Sequence, residues 1–183
     1  MDAFIRCYPG VIDDAVCRQI VDKFDADPRK HEGRVLGAGS PKRSTDLVIR
    51  GLPEWEPLCK LLDVGVIASL KRYREDVPNF RDVHNRFRDT GYQVQRYAPN
   101  GADGFDWHAD VNSRQSAERL LAMIAYLNDV EVGGETRFRA QDVAIAPRAG
   151  SIVWFPPGFE YVHRGDTPVS GAKYVVTLFL VYP

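Results

Sequence analysis

From Tyr92 onward the apolar residues change their period from three and four to two, and turn signals recur every few residues. This switch constrains the fold more than any other feature. A period of two places alternate side chains on opposite faces of an extended strand. The strand candidates are Tyr92–Ala98, Trp107–Asp110, Arg119–Asn128, Thr136–Phe138, Val143–Ala146, Ser151–Phe155, Tyr161–Arg164 and Ala172–Val181. Pro99-Asn100-Gly101, Gly133-Gly134, Pro147-Arg148-Ala149-Gly150, Pro156-Pro157-Gly158 and Gly165-Asp166 separate them. Gly133-Gly134 reads as a turn with positive φ that sets the strand carrying Thr136. About eight short strands between turns predict a mainly β fold: a sandwich, jelly roll or barrel.

Residues 1–90 have a different texture. Ile12, Val16, Ile20 and Phe24 fall four apart, which predicts a helix over Ile12–Asp25. Asp13 and Asp14 suit the positive end of its dipole, and Pro28 follows its end. A second helix is expected from about Glu54 to Tyr73, with Pro53 and Pro57 at its start, where proline is tolerated. Both are amphipathic, so each is expected to lie on the sheet. Between them Arg29–Arg50 reads as one polar, glycine-bearing loop, either surface or a flap over a site. The expected organisation is one domain over 1–183. Residues 1–90 supply helical support and the candidate flap, and 91–183 supply the β core.

Charge and composition narrow the function. The chain has 183 residues, 44% hydrophobic and 27% charged, as expected of a soluble globular domain. Its 24 basic and 25 acidic residues argue against a partner as anionic as nucleic acid. No apolar run is long enough to span a membrane, and the N-terminus does not read as a secretory signal. Cys7, Cys17 and Cys59 form neither a disulfide framework nor a thiolate metal pair, so a reducing cytoplasm is the expected location.

His108 and Asp110 stand at i and i+2, which on a strand aims an imidazole and a carboxylate to one side. The third ligand of a metal would come from His31, His84 or His163, the remaining histidines. Two histidines and one carboxylate with open positions suit non-haem Fe(II), and the same set could hold catalytic zinc. Lys173 stands near the start of an apolar final strand that contains no acid. Facing inward, it would need an anionic partner; at a barrel mouth, its head would reach water.

These motifs, taken in order, resemble the Fe(II)- and 2-oxoglutarate-dependent dioxygenase superfamily, and most of all its prolyl 4-hydroxylase branch. The matching text is Tyr97-x10-His108-Ala109-Asp110, Ala125-Tyr126-Leu127-Asn128 and Gly133-Gly134-Glu135-Thr136-Arg137-Phe138. It continues through Pro147-Arg148-Ala149-Gly150-Ser151, Trp154-Phe155, His163-Arg164-Gly165 and Gly171-Ala172-Lys173-Tyr174. The resemblance covers roughly residues 90–183. Tyr8-Pro9-Gly10-Val11-Ile12-Asp13-Asp14 is also similar to the opening of that branch.

The resemblance implies a double-stranded β-helix, a cupin-like jelly-roll barrel. It implies Fe(II) held by His108, Asp110 and His163. It places Lys173 on the distal carboxylate of 2-oxoglutarate and the Tyr97 hydroxyl on the same cosubstrate. Tyr126 and Thr136 are then expected to line that pocket. O2 is the second cosubstrate, and ascorbate is a candidate reductant. The reaction implied is hydroxylation of an unactivated C–H, in a prolyl residue of a peptide or protein, with succinate and CO2 as coproducts. A free amino acid or small metabolite is the alternative substrate. Arg114 and Arg164 are rim candidates for substrate contact, and Trp107 is expected to face away from the metal.

Some positions depart from the wider pattern. Phe105 stands where some relatives carry tyrosine, and the final strand reads Lys-Tyr-Val rather than Arg-x-Ser. Val169 and Val175 stand where nucleic-acid demethylases would carry arginines. Asp110 favours hydroxylation over halogenation. Rivals from other classes are a cupin-like non-oxidative zinc or manganese enzyme and a non-catalytic, metal-stabilised binding module.

Overall fold

The helices and strands follow from local chemistry. Strand β1 (Arg6–Tyr8) leads into α1 (Asp14–Ala26), whose N-cap is Asp13; its carboxylate accepts from the Ala15 amide at 2.7 Å. Cys17, Ile20 and Phe24 form the buried stripe of α1. A 3-10 turn at Pro53–Trp55 opens α2 (Glu56–Asp76), which buries Leu58, Leu62, Val66 and Tyr73 and is followed by the short α3 (Pro78–Arg81). The computed structural model describes residues 2–33, 41–82 and 86–182.

Among the described residues the strands form two antiparallel sheets. The larger contains β1, β2 (His31–Glu32), β4 (Thr45–Val48), β5 (Arg88–Asp89), β6 (Gln93–Tyr97), β8 (Arg119–Tyr126), β11 (Ile152–Phe155) and β13 (Lys173–Val181). Its order is β1-β11-β8-β13-β6-β4-β2, with β5 against β13. The smaller contains β3 (Lys42–Arg43), β7 (Gly104–His108), β9 (Thr136–Phe138), β10 (Val143–Ile145) and β12 (His163–Gly165), in the order β10-β9-β12-β7-β3. Strands consecutive in sequence repeatedly pair with distant ones, which is the double-stranded β-helix read from the sequence.

The long apolar run of β13 is explained by burial on both faces. Tyr174, Val176, Leu178 and Leu180 join the core beneath the helices, with Phe24, Trp55, Leu62 and Trp154. Lys173, Val175, Thr177 and Phe179 line the space between the sheets. Helices therefore seal one side of the larger sheet and leave its other side to face the smaller one. No helix among the described residues is long and apolar enough to cross a membrane.

Two details fix the helices to the sheet. Gly150, at φ +74°, turns the chain before β11, and its carbonyl accepts from the Val11 and Ile12 amides at 2.9 and 3.1 Å. A side chain there would strike the Ile12 carbonyl. Farther along, the Trp154 indole N–H donates to Ser69 Oγ of α2 at 2.9 Å, with both residues fully buried. Ser69→Ala is expected to destabilise the fold by about 1–3 kcal/mol, because the indole donor loses its partner out of reach of water. Urea unfolding checks this: the midpoint falls at unchanged slope, and an unmoved midpoint contradicts the role of the bond.

Three expectations are adjusted. The 29–50 segment is not one loop, because β3 pairs with β7 and β4 pairs with β6. Strands of two to four residues are too short to show a period. Residues 34–40 of that segment, and His84, lie outside the described residues. The 107–110 strand ends at His108, and 161–164 divides into a 3-10 turn at Phe159–Tyr161 and β12.

Candidate active site

Pairing of β7 with β12 sets His163 directly across from His108. The chain bends after β7 and returns the Asp110 carboxylate toward both rings. Asp110 Oδ1 lies 3.6 Å from His108 Nε2, and Oδ2 lies 3.8 Å from His163 Nε2. These separations exceed hydrogen-bond lengths. One ligand atom from each residue falls within 4.8 Å of the others.

The remaining ring nitrogens settle the tautomers. His108 Nδ1 lies 2.8 Å from the Asp106 carbonyl, and His163 Nδ1 lies 3.0 Å from that of Tyr161. A carbonyl only accepts, so each Nδ1 carries the proton and each Nε2 offers a lone pair inward. Burial pulls His163 down to about 4, with His108 acting in the same sense. Burial pushes Asp110 up, but the two imidazoles and Arg119 outweigh it and hold the carboxyl below its ordinary value. Neutral imidazoles and a carboxylate are the states in which these groups bind a metal. Phe105 stacks on His108, with ring centroids 3.4 Å apart, and Phe138 and Phe155 flank His163. The donor set and its apolar surround fit Fe(II) with open positions.

The triad opens into a cavity of about 330 Å³ between the sheets. Lys173 lies in its wall, 3% exposed, opposite Tyr97 in the β13–β6 register. Its ammonium donates to the Gly134 carbonyl at 2.8 Å and lies 5.0 Å from the Tyr97 ring centroid. Gly133 and Gly134 have φ of +77° and +78°, as the turn requires. Among the described residues Lys173 has no ion-pair partner. Burial pulls it down to about 8, against the more distant charges of Asp166 and Glu135. A Cβ on Gly165 would lie 3.5 Å from Lys173 Nζ, so glycine keeps the space beside the ammonium open. A buried cation with donors to spare fits a carboxylate.

Tyr97 lines the same cavity and donates to Gln95 Oε1 at 2.8 Å. Burial first, then the charges of Asp46, Asp103 and Asp110, push its hydroxyl far up, so it remains protonated. Thr136 also lines the cavity, whereas Tyr126 is fully buried behind it and donates to Thr136 Oγ1 at 2.7 Å. Trp107 lies outside, between the Arg139 and Arg164 guanidiniums at 4.5 and 4.8 Å. Arg164 also meets Asp166 at 2.7 Å, and Arg114 is exposed on a 3-10 turn. His31 is exposed on β2, in the larger sheet, and is not part of the triad.

The sequence reading missed a polar wall. Gln93, Gln95 and Thr177 share the inward face with Tyr97 and Lys173, and alternation along β6 and β13 was the signal that could have found them. Lys42 and Asp46 had no such signal, since they sit on the short strands read as loop. They form an ion pair at 2.6 Å across the two sheets, with side chains 4% and 0% exposed. Arg119 donates to the Asp110 carbonyl at 2.8 Å and lies 3.7 Å from the Phe179 ring centroid.

Residues 92–181 match the family model described as the 2OG-Fe(II) oxygenase superfamily. Several solved structures share the fold. A prolyl hydroxylase from Trichoplax adhaerens, in complex with a hypoxia inducible factor oxygen degradation domain peptide fragment, aligns with TM-score 0.78 at 16% identity. The alignment covers 98% of this chain and 84% of that one. The viral collagen prolyl hydroxylase of Paramecium Bursaria Chlorella virus-1, as its 2OG complex, gives TM-score 0.71 at 17% identity, covering 98% and 97% of the two chains. A Pseudomonas putida prolyl-4-hydroxylase gives TM-score 0.67 at 16% identity, covering 99% and 94%. No curated protein sequence matches the chain.

Proposed function

We propose that the chain is a 2OG-Fe(II) oxygenase, the superfamily whose model residues 92–181 match, that it uses Fe(II), 2-oxoglutarate and O2, and that it hydroxylates an unactivated C–H of a prolyl residue in a peptide or protein. His108, Asp110 and His163 would hold the iron through the two Nε2 atoms and the carboxylate. Lys173 would pair with the distal carboxylate of 2-oxoglutarate. Tyr97 and Thr136 would border that carboxylate, and Tyr126 would act through Thr136. Iron, 2-oxoglutarate and O2 would supply the oxidising power, with succinate and CO2 as the expected coproducts. The chain's own residues do the rest. Phe105, Phe138 and Phe155 keep the ligand rings dry and aligned, and the cavity walls hold a substrate C–H beside the metal.

The observation that carries this reading is the buried Lys173 ammonium, without an acid partner among the described residues, in one cavity with the triad. A non-oxidative metal enzyme has no evident use for it. The peptide assignment draws on the fold neighbours that are prolyl hydroxylases, one of them bound to a peptide. A free amino acid or small polar metabolite is the second reading, favoured by the amide-lined wall of Gln93 and Gln95. Succinate release from 2-oxoglutarate, measured with proline-containing peptides and with free amino acids, separates them. Stimulation of about tenfold or more by peptides is expected. Stimulation by a free amino acid instead would replace the peptide reading.

A further inference from the structure

The hydrogen bonds of the polar wall converge on the Asp46 carboxylate, which fixes the direction of each. Lys42 can only donate, and the Asp46 carboxylate can only accept. Lys42 Nζ meets Asp46 Oδ2 at 2.6 Å, and the same oxygen accepts from Gln93 Nε2 at 3.1 Å. The Gln93 amide is thereby oriented, and its Oε1 accepts from Gln95 Nε2 at 3.2 Å. Gln95 Nε2 also donates to Thr177 Oγ1 at 3.2 Å. Gln95 Oε1 is left as an acceptor, and the Tyr97 hydroxyl fills it at 2.8 Å. Ser44 also touches Tyr97, but its proton goes to Asp46 Oδ1 at 2.7 Å. The relay starts at an ion pair of fixed polarity and ends by claiming the one proton Tyr97 has.

That proton is wanted elsewhere. Tyr97 and Lys173 are register partners, with Lys173 Nζ 5.0 Å from the Tyr97 ring centroid, so a carboxylate seated on Lys173 would lie beside the Tyr97 side chain. A carboxylate has only lone pairs to offer. While Gln95 keeps the Tyr97 proton, the hydroxyl would meet such a carboxylate with lone pairs alone, and the two would repel.

We propose that Gln95 is a positioning residue that competes with the 2-oxoglutarate carboxylate for the Tyr97 hydroxyl proton. In the free site the hydroxyl donates to Gln95, and on cosubstrate binding it turns to the carboxylate. Gln95 Oε1 is then an acceptor without its donor, facing the cavity. The inference rests on Lys173 seating the cosubstrate. It adds that this chain spends part of its cosubstrate affinity on breaking a bond it made in advance.

The test measures the 2-oxoglutarate dissociation constant by calorimetry, with Mn(II) in place of Fe(II) so that no turnover occurs. Gln95→Met keeps the length of the side chain and removes the acceptor. It is expected to bind 2-oxoglutarate about two- to tenfold more tightly, the range one net hydrogen bond represents. Tyr97→Phe is expected to weaken binding, and Gln95→Met is expected to give no gain in the Tyr97→Phe background. Equal or weaker binding by folded Gln95→Met, or a gain that survives Tyr97→Phe, overturns the proposal. The side-chain amide resonances of Gln95 in the wild-type protein provide a check independent of any variant. They are expected to shift when 2-oxoglutarate and diamagnetic Zn(II) are added, and unmoved resonances overturn the switch. A wild type that binds no 2-oxoglutarate sinks the cosubstrate reading and this inference with it, whereas normal wild-type binding with an unimproved variant sinks this inference alone.

Discussion

Lys173→Met is expected to weaken 2-oxoglutarate binding by about thirtyfold or more, while leaving the ligand-free fold at least as stable as before. The two effects separate because, in the proposed role, the ammonium would serve the ligand while its burial burdens the fold. Lys173 is 3% exposed and makes one hydrogen bond, to the Gly134 carbonyl. Removing one partner of a buried, hydrogen-bonded charge pair costs about 2–5 kcal/mol of binding, or roughly thirty- to several-thousandfold. Methionine fills much the same volume without a charge to desolvate.

The same group sets a pH dependence. Its folded value, about 8, lies below the ordinary 10.5, chiefly through burial. Without ligand, the unfolded chain binds more protons at this position between those two values, so stability rises with pH across that window. If the cosubstrate pairs with the ammonium as proposed, affinity runs the other way. It is expected to fall about tenfold per pH unit above about 8, as one proton must be taken up on binding. Lys173→Met should remove both trends. Calorimetric titrations at several pH values, paired with thermal melts, read affinity and stability on the same samples. A Lys173→Met protein that binds 2-oxoglutarate normally contradicts the assignment.

Asp110→Ala is expected to abolish turnover and weaken divalent-metal binding by more than a hundredfold. Losing a group that merely supports a ligand commonly costs ten- to a hundredfold in metal affinity. Losing the only carboxylate of the triad removes a ligand and the charge that favours the ion over water. Ligand-linked stability reports this directly. Metal at about a hundred times its dissociation constant adds about 2.7 kcal/mol, worth roughly 5–10 °C of melting temperature for a chain of this size. The wild type should show such a rise with Mn(II), and Asp110→Ala should show little or none. A rise of equal size in the variant would place the metal elsewhere.

Much of this site was legible because strand alternation is a strict rule. The inward face of β13 carries Lys173, and the outward face carries Tyr174, Val176 and Leu178, as a period of two requires. His108-x-Asp110 suggested a metal site, although Asp110 lies past the strand end, and a bend rather than alternation aims it. What joined His163 to the pair is the β7–β12 pairing across 55 residues of chain, which local pattern does not reveal. Lys42 and Asp46 were hidden for a related reason. Their strands are too short to show a period, and the ion pair that buries them joins two different sheets. The resemblance implied Tyr126 as a pocket residue, yet its hydroxyl is buried behind the cavity wall and donates to Thr136 Oγ1.

Succinate production from 2-oxoglutarate under O2 is the most direct test of the central claim, with and without Fe(II), by the wild type and by Asp110→Ala. The account predicts Fe(II)-dependent succinate from the wild type, increased by a proline-containing peptide that gains one oxygen atom, and none from Asp110→Ala. A folded wild type that binds 2-oxoglutarate in no metal state and releases no succinate with any substrate would contradict it.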